Sequence, residues 1–238
     1  MEFFETSTCC SISDILYETD SDVSDDSIDN VNYSYDDFIF INNLKFVNEN
    51  KNVSSIYNEA KTHRYEKTIT INENNELKKI AIFMLNPSLF DNISNSEYNF
   101  VNNNIINFYG EQFINKISFF NMYSKIDENI LNWQFYNNDD NDEKINLDYI
   151  NIVLHNTIFD VIFVAYGHQF TSLHVNQWKD KFTIYTKLIK KYIFDHNIET
   201  KCFGNLNIFD EINNVFYPSY PEPKSINGQN EMKNYFYY

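Results

Sequence analysis

Four short segments hold the side chains best suited to chemistry: Leu85-Asn86-Pro87-Ser88, Phe120-Asn121-Met122-Tyr123, Ala165-Tyr166-Gly167-His168 and Tyr217-Pro218-Ser219-Tyr220. The first three each close a continuous apolar run, the pattern of a buried parallel strand, and open parallel sheets bind ligands beyond the carboxyl ends of such strands. His168, just past Gly167, could act as an acid or base near neutral pH. Other chemistries fail on residue type and spacing. Ser88 has neither a G-x-S-x-G context nor a matching His and Asp order, which argues against a hydrolase triad. His155 and His174 have no companion at metal-ligand spacing, and Cys9, Cys10 and Cys202 lack the spacing of a zinc site, so neither a metal nor a cofactor is expected. Gly110, Gly167, Gly204 and Gly228 are too far apart to cradle a phosphate, which removes the dinucleotide fingerprint and the P-loop.

The elements that must position these segments follow from apolar patterning. Strands are expected at Ile80 to Leu85, Lys116 to Phe120, Val161 to Ala165 and Glu199 to Phe203, with helices near Glu97 to Tyr109, Leu147 to Asn156 and Asn176 to His196. In the last helix Trp178, Phe182, Tyr185, Leu188, Ile189 and Ile193 recur at helical spacing and make a core stripe. Arg64 to Leu77 alternates, and Asn74-Asn75 suits a turn, so a hairpin is expected to enter the core there. Phe38 to Ile41 followed by Leu44 to Val47 suits a short strand or a docking segment, and Trp133 to Lys144 an exposed loop. The expected organisation is a disordered acidic arm over residues 1–38, a connector over 39–63, an α/β domain over 64–220 and a tail over 221–238.

Charge bounds the partners. The 238 residues carry 34 acidic and 18 basic side chains, and Arg64 is the only arginine. Residues 1–38 hold eleven Asp or Glu and no Lys or Arg, so removing them from −16 leaves about −5 for the rest. That balance argues against tight duplex binding unless lysines such as Lys125, Lys179 or Lys224 cluster at a site. The arm's run from Glu18 to Asp29 cannot bury enough apolar area to offset ordering entropy. It suits a solvated tail or a segment docking a basic partner, with Ser21, Ser24 and Ser27 open to phosphorylation. No run approaches the roughly 20 apolar residues of a membrane span. With three cysteines and no disulfide framework, the expected setting is soluble and reducing, a cytoplasm, or a host's cytoplasm if the source is a virus. The abundance of Asn, Ile, Tyr and Phe is what an AT-rich genome writes.

The series LNPS, NMY, YG and YPSY resembles the domain-of-unknown-function 1643 family of bacterial and viral proteins, whose pattern is LNPS, NL-F/Y, a WG-type strand end and HPLY. The resemblance starts at Arg64-Tyr65, similar to the family's opening Arg-Tyr, and runs to Tyr220, roughly two thirds of the chain. That pattern is in turn similar to the uracil-DNA glycosylase superfamily. It implies a three-layer α/β/α fold with a mostly parallel sheet of about four strands plus an N-terminal hairpin.

By this resemblance Asn86 positions a water, the backbone after Pro87 and at Ser88 lies against a nucleobase edge, and Asn121 reads the base, its amide offering a donor and an acceptor. Tyr166, Gly167 and Ser219 complete the substrate contacts, while Tyr217 or His168 assists the leaving group. Three departures stand out. Tyr217 replaces a His, and a neutral phenol with pKa about 10 offers no cation at neutral pH. The acidic-then-Thr element has become Asn95-Ser96, and Tyr166 replaces a Trp. Without the resemblance, Asn86 before Pro87 and Asn121 at a strand end are ordinary turn residues, and a lone His168 an ordinary surface one.

Two functions therefore stand as expectations. One is a glycosylase-like domain acting on a nucleobase in single-stranded nucleic acid or a nucleotide. The other is a catalytically inactive interaction protein whose acidic arm binds a basic or DNA-handling partner.

Overall fold

The computed structural model describes residues 34–85, 97–126, 141–166, 176–203, 208–210, 215–217 and 232–234, all within one compact unit, 33–238. In chain order they form α1 (Tyr35–Ile41), β1 (Lys45–Asn50), β2 (Val53–Tyr57), β3 (Arg64–Thr70), β4 (Lys78–Met84), α2 (Glu97–Tyr109) and β5 (Ile114–Asn121). There follow α3 (Asn141–Asn156), β6 (Val161–Val164), α4 (Asn176–His196), β7 (Glu199–Phe203), β8 (Ile208–Asp210), β9 (Val215–Tyr217) and β10 (Met232–Asn234). Seven strands make a mixed sheet in the order β1-β2-β3-β5-β4-β6-β7, and short β10 adds antiparallel to β7. Among the described residues no helix is long and apolar enough to cross a membrane.

The centre of the sheet follows from composition. From Ile80 to Met84 every side chain of β4 is apolar and buried, so the strand needs partners on both edges and cover on both faces. Parallel β5 and β6 supply the edges. The crossover through α2 steps from β4 to β5, and the crossovers through α3 and α4 step the other way, to β6 and β7. Right-handed crossovers made in opposite directions deliver their helices to opposite faces. Val101 and Ile105 of α2 accordingly pack with Ile80, Ile82 and Met84. Tyr149 and Val153 of α3 and Tyr185 and Ile189 of α4 pack with the alternate residues Ala81, Phe83 and Leu85. At the end of α2 the chain turns through Gly110 at φ 85°, where a Cβ would lie 3.1 Å from the Gln112 side chain and 3.2 Å from that of Phe113.

Four expectations are corrected. The sheet is larger than about four strands, because the half-polar β1 and β2, within the expected connector 39–63, join it, as does β10 from the expected tail 221–238. No hairpin forms across Asn74-Asn75: β5 and β6 occupy both edges of β4, so β3 pairs with β2 and β5 instead. The N-terminal hairpin is β1 with β2. Phe38 to Ile41 is helical, part of α1, where the Ser34 hydroxyl accepts from the Asp37 N–H and Phe38 is buried. Lastly, α3 starts six residues before Leu147, at Asn141, so the end of the segment read as an exposed loop is helix. Disorder of the arm up to residue 33 and the loop part 133–140 lie outside the described residues, as do the side chains of Trp178 and Phe182. Tyr185, Ile189 and Ile193 are buried as the stripe requires.

Buried tyrosines tie the α3 side of the core together. Burial raises Tyr149 and Tyr185 well above the ordinary phenol range, and burial with the nearby Glu66 carboxylate pushes Tyr35 up to about 12. A phenol whose folded pKa lies above its unfolded value of about 10 stabilises the fold fully below that pH, and this contribution is lost as pH rises through the folded pKa. In an alkaline titration, phenolate absorbance of the buried tyrosines is expected to rise in step with loss of circular dichroism between about pH 10 and 12. Complete phenolate formation with a native spectrum would contradict their burial.

Candidate functional site

Because β4, β5, β6 and β7 run parallel, their carboxyl ends share one edge. The strand order reverses about β4, and open α/β sheets bind ligands at such a reversal, outside the carboxyl ends of the strands. β4 and β5 end in register, Met84 beside Asn121, and the pairing runs on as Met122 N–H donates to the Met84 carbonyl at 3.0 Å and Tyr123 N–H to Leu85 at 2.9 Å. On the other side Ala165 N–H donates to the Phe83 carbonyl at 2.8 Å.

Asn121 alternates with Phe120, so it shares the α2 side with Phe119 and Met84, and it is fully buried. Its carbonyl accepts from the Asn146 side-chain amide at 2.9 Å, and that amide also donates to the Tyr185 hydroxyl at 2.6 Å. The backbone at Asn121 is thus pinned from α3. Tyr166 is fully buried in the core on the α3 and α4 side. Of the remaining expected residues, Asn86, Pro87, Ser88, Gly167, His168 and Ser219 lie outside the described residues. Tyr217 is on β9, which among the described residues pairs with β8 in a two-stranded sheet separate from the main one. The described part of the site is therefore Asn121, Tyr166 and the strand ends that carry the other segments.

The same edge holds polar groups that sequence reasoning missed. β3 runs antiparallel to β5, so its start lies beside the end of β5: Arg64 N–H donates to the Ser124 carbonyl at 2.8 Å, and His63 bridges Lys125. A register shift places Arg64 opposite Tyr57 and Glu66 opposite Ile56, leaving Tyr65 as the extra residue of a bulge. A bulge re-aims a side chain. Tyr65 and Glu66, though consecutive, both reach α3: the Tyr65 hydroxyl donates to Asp142 at 2.8 Å and Glu66 accepts from the Tyr149 hydroxyl.

Arg64 is only 3% exposed and pairs with Tyr57, whose hydroxyl donates to Glu49 at 2.9 Å. Burial alone would raise the Glu49 carboxyl, but the Ser55 hydrogen bond and the Lys67 and Arg64 cations outweigh it and hold the pKa down. On α3, Asp142 Oδ2 accepts from Asn58 at 3.2 Å and lies 3.5 Å from His63 Nδ1. Glu143 Oε1 accepts from Ser124 N–H at 2.9 Å, Ser124 Oγ at 3.1 Å and Lys125 N–H at 3.1 Å. Burial, followed by the Glu143 charge, raises Tyr123, so this phenol is a neutral donor. Acidic residues in a helix's first turn are an N-terminal signature, and Asp142-Glu143 offered that signal.

Among the described residues no cluster of His, Cys, Asp or Glu could hold a metal ion. Besides the charged Arg64, Asp142 and Glu143, the edge offers amides, neutral phenols and backbone groups, which suit recognition by hydrogen bonding. No family model, curated protein or solved structure matches the chain.

Glu143 sets the position of the chain leaving β5. Glu143→Ala is expected to cost about 3 kcal/mol in urea denaturation, because it strips a buried acceptor from two backbone N–H groups and a hydroxyl. Glu143→Gln, which keeps an acceptor oxygen, is expected to cost about 1 kcal/mol. Equal costs for the two would show that the acceptor is not what matters.

Proposed function

We propose that this chain recognises a nucleobase at the carboxyl edge of its parallel strands and hydrolyses an N-glycosidic bond there, within a three-layer arrangement similar to that of uracil-DNA glycosylases. The observation that supports this reading is the register of β4 and β5, which end side by side so that the chain segments after Met84 and Asn121 leave the sheet together at its carboxyl edge. In this reading Asn86 positions the attacking water, Asn121 reads the base edge, and Tyr217 or His168 assists the departing base by hydrogen bonding. A base reader held away from water discriminates strongly, because a mismatched partner leaves a buried amide unpaired. The substrate is single-stranded nucleic acid or a nucleotide, given a charge of about −5 outside residues 1–38. A cytoplasm is the compartment this substrate suits.

A second reading, an inactive interaction protein docking a basic partner through residues 1–38, draws its support from Tyr217. A phenol of pKa about 10 offers the departing base anion a hydrogen bond but no charge.

One assay decides between them. Free base released from normal and modified single-stranded and duplex DNAs and from nucleosides is measured by mass spectrometry for wild type, Asn86→Ala and Asn121→Ala, each checked for folding. Asn86→Ala is expected to lower the rate at least about a hundredfold, and Asn121→Ala to broaden the accepted bases. No release by folded wild type from any substrate overturns the hydrolytic reading in favour of the interaction protein.

A further inference from the structure

Away from that edge a cavity of about 380 Å³ lies between the β1, β2, β3 and β5 part of the sheet and the end of α3. Cross-strand pairing builds its floor in rows. Phe46, Ile56 and Glu66 form one row, Ser54 and Thr68 the next, and Lys116 sits opposite Thr70 beyond them. Val153 and Phe159 add apolar wall, and Asn156 and Thr157 bring the carboxyl end of α3, the negative pole of the helix, to the same space. Phe46, 61% exposed, stands on the rim.

The hydrogen bonds of this cavity have a fixed direction. Tyr149 donates to Glu66 Oε2, and a phenol has one proton, so in the 3.0 Å contact between the two phenols Tyr35 must donate to Tyr149. Likewise Thr68 donates to Glu66 Oε1 at 2.5 Å, so Ser118 must donate to Thr68 across 2.9 Å. Four hydroxyl protons therefore run toward one buried carboxylate, and no cation lies within ion-pair distance of Glu66 among the described residues. The lone pairs left at Glu66 and at Tyr35 are acceptors only, and a buried carboxylate without a cation favours a positively charged guest.

Lys116 is the counterpart. It lines the cavity with no carboxylate partner among the described residues, and its strand position is four residues from that of Glu66, about 13 Å along the strand. From these opposed ends we infer that the cavity binds a small zwitterion, its ammonium on Glu66, its anionic group at Lys116 and an apolar linker over Ile56, Val153 and Phe159. The volume is that of a small-molecule site, and the binding is independent of the chemistry at the carboxyl edge.

Calorimetric titration of the full chain with ε-aminocaproate, hexylamine and hexanoate tests this directly. The two-ended probe is expected to bind at least about tenfold more tightly than either one-ended probe. Lys116→Met should erase its advantage over hexylamine, Glu66→Gln its advantage over hexanoate, and Ser54→Phe, which fills the cavity, binding of all three. Should Glu66→Gln fail to fold for want of its hydroxyl network, Lys116→Met and Ser54→Phe, both at part-exposed positions, carry the test. No binding by wild type, equal binding of the three probes, or binding unchanged by Lys116→Met or Ser54→Phe would overturn the proposal.

Discussion

The structure depends on β4 being apolar on both faces. A strand with Ile80, Ile82 and Met84 on one side and Ala81, Phe83 and Leu85 continuing the other has no side to show water. Its two edges must be paired and its two faces covered, and the crossovers through α2 and α3 do this by leaving in opposite directions. The same requirement sets the reversal of strand order at β4.

Around that rim the sheet and α3 are joined by polar rather than apolar contacts. Asp142, Glu143 and Asn146, within two turns at the start of α3, reach Tyr65, the Ser124-Lys125 backbone and the Asn121 carbonyl. Strand ends cannot satisfy their own backbone groups, and a helix N-terminus carrying carboxylates supplies acceptors where N–H groups would otherwise be orphaned. The bulge at Tyr65 serves the same joint, because it lets consecutive residues of β3 both face α3. Apolar contacts decide which elements pack, and these hydrogen bonds decide where the strand ends stand relative to one another.

Legibility in the sequence followed contrast. β4 to β6, α2 and α4 stand out as apolar runs or helical stripes, since each segment's own residues carry the signal of its burial. β1 and β2 do not. KFVNEN and VSSIY are half polar, and the buried Ser55 has its hydroxyl satisfied by Glu49 across the hairpin. The first turn of α3 has the composition of a loop, and Glu143 is buried against the chain that leaves β5. At the candidate site Asn121 was legible as the residue ending an apolar run, whereas Asn146, which pins it, looks like any other asparagine of an Asn-rich chain.

What the sequence by itself determined is the set of strands and helices at the centre, their parallel direction, and hence that the segments after β4, β5 and β6 leave at one edge. Periodicity and burial are local properties of composition, so the chain states them directly. Only the tertiary structure decided that β3 pairs with β5 and not β4, that Tyr65 is a bulge, and that Arg64, Asp142 and Glu143 stand at the same sheet edge as the end of β5. Those outcomes rest on competition among strands for edges and on polar partners far apart in the chain, and no residue carries the mark of a partner it meets only after folding.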